Sequence, residues 1–516
     1  MKNMPPATLD AVFSDLQPAA VWAHFATLCR IPRQSKAEAR LRDHLRQWAL
    51  ARGLAATVDV AGNLLLRKAA SAGMATAPGV VLQAHLDMVC QQACTKGPAA
   101  AHDFSRDPIR PLRRDDWLVA DATTLGADNG IGVALILALL EDASLTHGPI
   151  EALLTVDEEA GMGGARGLPA GLLQGRLLLN LDTEEWGEFF LGCAGGLDVN
   201  VHRDGMAEPL PTAFKVWRID LQGLRGGHSG VDIHQQRGNA IKLLVRVLRD
   251  LESHFALRLV DLNGGSARNS LPREASATVA VPAADGDRLA ASLAAWQSLL
   301  RDELPGVDER LCLHGAPASA ERVLSAADQA VWLASLHAAP HGVRRWSPSV
   351  AGVVETSNNL GMVALTAKGG GCNFMVRSLL ESGSSALADE IVSLFALSGT
   401  VAEKAGAYPG WAPNPASPLL ALCQSVYRRE FGEESRMQVI HAGLECGLIA
   451  AKYPGLDMLS FGPSIRGAHA PGEAVEIASV GYSWRLLKAI LAAVAVGTRA
   501  PSAPAGVDEQ RQELSR

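Results

Sequence analysis

The sequence predicts an α/β protein: a mostly parallel sheet flanked by helices, with a second α/β domain inserted into it. Three observations carry that expectation. Apolar, β-branched runs alternate with helical patterns through the first part of the chain. Those runs repeatedly end on a histidine or an acidic residue. The same alternation resumes after a long stretch of different texture, behind the breaker-rich segment Tyr408-Pro409-Gly410-Trp411-Ala412-Pro413-Asn414-Pro415. At 516 residues the chain exceeds the usual limit of one core. The texture places the first part of the outer domain at 1–196, the inserted domain at 197–405, the rest of the outer domain at 406–497, and a disordered polar tail at 498–516.

Residues 9–52 carry helical spacing interrupted at Ile31-Pro32-Arg33-Gln34-Ser35, which predicts two helices. Alternation on both sides of Gly62-Asn63 predicts a hairpin. Val80-Val81-Leu82-Gln83-Ala84 is a buried strand, and the strand period of two puts His85 and Asp87, at its C-terminal end, on one face. After a polar loop and a short strand near 117–120, Thr124-Leu125-Gly126-Ala127-Asp128-Asn129-Gly130 feeds an apolar helix. Asp128 thus lies where backbone N–H groups and the helix dipole favour a carboxylate, although a plain N-cap aspartate gives the same pattern. A strand over 150–156 terminates in Asp157-Glu158-Glu159, and one over 177–181 terminates in Asp182.

Taken alone, His85-x-Asp87 fits a hydrogen-bonded core histidine better than a ligand. The row of strand ends changes that, because sites of parallel α/β sheets gather beyond the carboxyl ends of their strands. A buried rim cannot hold Asp87, Asp128, Glu158, Glu159 and Asp182 as unpaired carboxylates, since desolvated like charges repel or protonate. Multivalent cations are the economical compensation.

Between 214 and 395 strands and helices return without acidic ends. Gly226-Gly227-His228-Ser229-Gly230 closes the first of these strands, and Asn239 opens an amphipathic helix. The strand and helix at 373–396 are similar to those at 275–300, which suggests an internal duplication. Beyond the breakers come a helix at 418–431, a strand at 437–440, a helix at 444–452, a strand near 457–461, His469 in a loop, and a last amphipathic helix at 477–494.

A net charge of -7 without long runs argues against nucleic acid as a partner. No Lys/Arg cluster marks a membrane surface, no run reads as long and apolar enough to span a bilayer, and the first ten residues lack a secretory pattern. A small-molecule partner and a cytoplasmic location are therefore expected. The eight cysteines are scattered and read as free thiols rather than a disulfide frame, and Cys90 and Cys94 lack the second pair of a zinc finger.

These motifs occur together with Val354-Glu355-Thr356-Ser357-Asn358-Asn359-Leu360-Gly361, His441-Ala442-Gly443-Leu444-Glu445-Cys446-Gly447, and Phe461-Gly462-Pro463 ahead of Ala468-His469. In that order the set resembles the M20-clan metallopeptidases, and most closely the aminoacyl-histidine dipeptidase (cytosol non-specific dipeptidase) family, over nearly the whole chain. The resemblance implies a catalytic domain with an inserted lid and two divalent ions, zinc first, with manganese or cobalt as alternatives. It implies His85 and Asp182 on one ion, Glu159 and His469 on the other, and Asp128 bridging. Glu158 would be the general base and Asp87 the residue that orients His85. His228, in the lid, would stabilise the oxyanion, in some relatives across a dimer interface, so a homodimer through the lid is implied. A cis peptide bond between Asp128 and Asn129 is also implied. The chain departs from the family at Ala470-Pro471-Gly472-Glu473, where relatives more often carry Ser-Pro before an acidic or amide residue.

From the residues themselves, Arg377 is either a bidentate clamp for a substrate carboxylate or a solvated surface arginine. Glu445 is either a partner for a substrate ammonium or a helix-start carboxylate. The activity that the resemblance implies is hydrolysis of unblocked dipeptides, including Xaa-His dipeptides. Two alternatives stand beside it: an N-acyl amino acid amidohydrolase on the same scaffold, and a non-catalytic metal or peptide binder, against which an intact Glu158 and five ligands count.

Overall fold

A computed structural model describes residues 9–93 and 102–497; Cys94 and the segment from Thr498 onward, read above as a free thiol and a tail, lie outside those residues. The chain forms two compact units. One takes the chain up to Leu191, Asn414–Gln438 and everything from Ile449 onward; the other takes Gly192–Pro413 and Val439–Leu448. The short excursion Val439–Leu448, which the sequence pattern places in the outer domain, belongs to the inserted unit. Backbone pairing explains it: the Ala194 amide donates to the Ile440 carbonyl at 3.0 Å, and Cys193 and Trp411 exchange two hydrogen bonds of 2.9 Å.

In the first unit an eight-stranded sheet runs in the order Ala55–Val58, Leu64–Lys68, Ile150–Thr155, Val80–His85, Leu177–Asn180, Asp457–Ser460, Glu188–Cys193 and Arg436–Ile440. The strands from Ile150–Thr155 to Asp457–Ser460 are parallel. Val80–His85 and Ile150–Thr155 are buried at every position, as continuous apolar runs covered on both faces should be. Because these strands share a direction, His85, the segment after Thr155 and the segment after Asn180 emerge at one edge. Just below that edge the strands carry a buried polar row. Gln83 Nε2 donates to Thr155 Oγ1 at 3.2 Å, Asn180 Nδ2 donates to Gln83 Oε1, and Ser460 Oγ donates to Asn180 Oδ1. Satisfied in this way, the row ties adjacent strands together one layer beneath the site.

The N-terminal region has three helices rather than two, Leu9–Phe13, Ala19–Arg30 and Ala39–Leu50, because Pro18 breaks the first helical run. A small antiparallel sheet of Ile465–Arg466, Ala474–Glu476, Trp117–Ala120 and Pro111–Arg114 presents residues 467–473 as the loop of a hairpin. The final helix, Ile477–Val496, corrects one sequence reading: at 20 residues and mean hydropathy 1.3 it is long and apolar enough to cross a bilayer by length and composition. Here Val480, Leu486, Leu487, Ile490 and Leu491 are buried within the protein, so its apolar face is spent on the core.

The second unit is organised on a nine-stranded antiparallel sheet whose main path runs Cys312–Ala318, Phe214–Gln222, Ala275–Pro282, Arg258–Gly264, Val354–Thr366, Gly369–Ser378, Gly195–Asp204 and Val401–Tyr408. Helices Ala240–His254, Gly286–Glu303, Ala326–Ala338 and Glu381–Ala396 share one apolar core with it. Asn239 caps the first of them, its side chain accepting from the Lys242 amide at 3.1 Å. Cys29, Cys90, Cys193, Cys312, Cys372 and Cys423 carry free thiols.

Candidate active site

The edge where the parallel strands end gathers His85, Asp128, Glu158, Glu159, Asp182 and His469. His85 Nε2 lies 3.1 Å from Asp128 Oδ1 and 3.3 Å from Asp182 Oδ1. His469 Nε2 lies 3.2 Å from Asp128 Oδ2 and 3.0 Å from Glu159 Oε2. Asp128 therefore offers one oxygen to each imidazole and stands between two ligand sets, His85-Asp128-Asp182 and Asp128-Glu159-His469. Glu158 and Glu159 also approach His85 closely enough to form a third.

Backbone geometry presents these groups. The Asp128-Asn129 peptide is cis, as the resemblance implies. Asp128 has φ -79° and ψ 114°, outside the helix that follows, so its side chain leaves the helical path. Asn129 Nδ2 donates to the Leu181 carbonyl at 2.7 Å and to Asp182 Oδ1 at 2.6 Å, joining the helix start to the next strand end. Asp157 at φ +56° and His469 at φ +64° both hold the left-handed conformation that residues with a Cβ adopt at a cost.

Asp87 is fully buried and sits behind His85, its Oδ1 3.4 Å from His85 Nδ1. The same carboxylate accepts from the Glu158 amide at 3.0 Å, the Glu159 amide at 3.1 Å and the Ser35 hydroxyl at 2.7 Å. Burial pushes its pKa up, but His85, Ser35 and the Glu158 amide outweigh that and bring it down to about 2. One side chain thus orients an imidazole and the turn that carries the paired glutamates.

The electrostatics of the cluster are those of crowded anions. Burial opposes protonation of His85, yet Asp182, Asp128 and Asp87 hold its pKa well above the usual imidazole range. Hydrogen bonds to Asp128 and Glu159 push His469 up to about 11. Burial raises Asp182, and the charges of Asp128 and Glu159 add to the effect. Glu159 Oε1 is buried without a hydrogen-bond partner. Carboxylates that draw protons onto two imidazoles, with an oxygen left over, match the demand of cations.

A second cluster lies within the other unit. His228 Nδ1 accepts from the amides of Gly230 at 3.2 Å and Val231 at 3.0 Å, and its Nε2 lies 3.4 Å from Arg377 Nη2. Burial lowers the His228 pKa to about 4, with the Arg377 charge adding to the effect. Arg377 is 4% exposed, so it is not a solvated surface arginine; it donates to Tyr408 Oη at 2.9 Å and to Ser229 Oγ at 3.4 Å. His441 shares a 2.8 Å hydrogen bond with Ser357 Oγ and is lowered to about 3 by burial and by Arg377. Glu445, wholly buried and in the same unit, is the first residue of the helix Glu445–Lys452.

Comparison with known proteins sets these clusters in a family. The chain is 45% identical over 481 residues to the cytosol non-specific dipeptidase of Escherichia coli (strain K12), covering 93% of this chain and 98% of that one. The chain belongs to the cytosol non-specific dipeptidase family. A model of the peptidase dimerisation domain matches residues 219–308. The crystal structure of aminoacylhistidine dipeptidase from Vibrio alginolyticus is 44% identical, with a TM-score of 0.85, over 93% of this chain and 97% of that one. A tripeptidase from Staphylococcus aureus, 16% identical with a TM-score of 0.53 over 93% of this chain and all of that one, shares the fold alone.

Against this dipeptidase frame, several supporting residues stand out that the sequence pattern does not single out. Ser35 meets Asp87, and Glu38 Oε1 accepts the amides of Lys36 at 2.9 Å and Asp157 at 2.8 Å. Both come from the loop between the second and third helices, where Ser35 reads in sequence as part of a turn and Glu38 as part of the following helical run. Polar residues carry no apolar periodicity, so nothing local marks them as buried supports.

Proposed function

We propose that the chain is a dinuclear metal dipeptidase that hydrolyses the peptide bond of unblocked dipeptides, Xaa-His dipeptides among them. The observation that carries this reading is Asp128 standing between His85-Asp182 and Glu159-His469 in a chain of the dipeptidase family. The mixed imidazole and carboxylate donors suit zinc, with manganese or cobalt as alternatives. His85 and Asp182 would hold one ion, Glu159 and His469 the other, and Asp128 both. Bound there, such ions supply Lewis acidity at a scissile carbonyl and bring the pKa of water close to neutrality.

The remaining roles fall to the chain's own groups. Glu158 takes the proton of the attacking water and returns it to the leaving amine. Asp87 fixes the ring of His85 through Nδ1. His228, held neutral, donates from Nε2 to the developing oxyanion. Arg377 forks onto the substrate carboxylate and Glu445 receives the substrate ammonium, which together select peptides with both ends free. The second unit acts as the lid, and the match to a dimerisation domain supports a homodimer through it. The name of the Escherichia coli relative supports a cytoplasmic setting.

A substrate panel tests the reading. Free amino acids should appear from unblocked dipeptides and not from N-acetyl amino acids. Release from the acetylated compounds alone would make the chain an amidohydrolase, and metal binding without release from either would make it a binder.

A further inference from the structure

The loop that delivers Asp128 is gripped from two sides by buried, oppositely charged side chains, neither of which reaches the ligand cluster itself. Glu473 is 2% exposed. Its Oε2 accepts the amides of Leu125 at 2.8 Å and Gly126 at 2.9 Å, and its Oε1 accepts those of Ala127 at 2.7 Å and Asp128 at 3.2 Å. Arg33 is 3% exposed. Its Nη1 donates to the carbonyls of Leu86 at 3.0 Å and Asp87 at 2.8 Å, and its Nη2 donates to the carbonyl of Gly126. The guanidinium therefore bolts the Asp128 loop to the strand end that carries His85, while the carboxylate takes up four consecutive amides of that loop.

The sequence makes room for this arrangement at two glycines. A Cβ at Gly126, where φ is +68°, would collide with Arg33 Nη2 and come within 2.8 Å of Met88 Sδ. One at Gly130 would come within 2.7 Å of Arg33 Nη2. Burying a guanidinium and a carboxylate is costly, and a bare turn could satisfy its amides with water instead. What this pair adds is rigidity at the residue that must face both imidazoles. Glu473 also lies on the hairpin loop that carries His469, so one loop supplies a proposed ligand and the brace for the bridging one.

Resting on the dinuclear reading above, we propose that Arg33 and Glu473 are positioning residues that hold the Asp128 carboxylate in bridging geometry and thereby set metal affinity. Oriented ligands lose about 10- to 100-fold in affinity when their outer partners are removed. The test is a Co²⁺ titration of chelator-treated protein, followed by its visible absorption, for wild type, Arg33→Lys, Glu473→Gln and Asp128→Asn, each checked by circular dichroism to be folded. Arg33→Lys keeps the charge but loses the forked donation, and Glu473→Gln keeps the shape but turns a donor toward amides. Both should weaken Co²⁺ binding about 10- to 100-fold and alter the absorption bands. A folded variant that binds Co²⁺ within twofold of wild type, with unchanged bands, would reduce the pair to a structural anchor and overturn the proposal. Should Glu473→Gln fail to fold, Arg33→Lys decides. Wild-type affinity in Asp128→Asn would overturn the dinuclear reading itself, and the proposal with it.

Discussion

The two units hold histidine clusters of opposite electrical character. In the first, His85 and His469 stand among carboxylates and are driven toward the protonated form. In the second, burial first and then the charge of Arg377 hold His228 and His441 neutral. The same side chain is thus prepared for two tasks by its burial and its charged neighbours. Imidazoles crowded by anions suit cations, and neutral imidazoles next to a buried guanidinium suit anions.

This contrast can be broken or sharpened by experiment. The largest effect should come from the anionic cluster: a chelator should abolish dipeptide hydrolysis, and added zinc, manganese or cobalt should restore it. Undiminished turnover in the chelated protein would remove the metal from the account. Next, Glu158→Ala should lower turnover by about 10²- to 10⁴-fold while metal content stays near that of wild type. Loss of metal along with turnover would move Glu158 from the proton-transfer role into the ligand set. In the second cluster, His228→Ala should lower kcat by about 10²- to 10³-fold at unchanged metal content. Full kcat in that variant would leave His228 without its donor role. Arg377→Ala should raise KM for dipeptides about 10- to 100-fold but leave KM for dipeptide amides, which lack the carboxylate, almost unmoved.

The smallest effect concerns stability. His228 and His441 hold pKa values of about 4 and about 3, below the roughly 6.5 of an unfolded chain. Over that interval the unfolded chain binds protons that these two rings refuse, so their contribution to stability is fully present above about pH 6.5 and is lost as pH falls toward 4 and then 3. Thermal unfolding followed across that range should show a smaller slope in His228→Gln than in wild type, and an unchanged slope would mean that the ring is solvated.

How much of this was legible depends on where each residue sits. His85, Asp182 and the Glu158-Glu159 pair announce themselves because each closes an apolar run whose strand character is unmistakable, and parallel strands must end together. Asp128 is visible for a related reason, at the start of a wholly apolar helix. Arg33, Ser35, Glu38 and Glu473 are not visible as supports, because each acquires its partner only when segments distant in sequence fold together. Local sequence does not set Val439–Leu448 apart for the same reason: its strand and helix look like those around it, and the hydrogen bond from the Ala194 amide to Ile440 is what links it to the second unit. The last helix escapes a simple hydropathy reading, since Tyr482, Arg485 and Lys488 interrupt an otherwise apolar stretch.

The central claim is that Asp128 is shared between two ions. Anomalous diffraction at the zinc edge from crystals grown with zinc tests it most directly. Two peaks flanking the Asp128 carboxylate, one toward His85 and Asp182 and one toward Glu159 and His469, are predicted. A single peak, or a pair that does not share Asp128, would contradict the account.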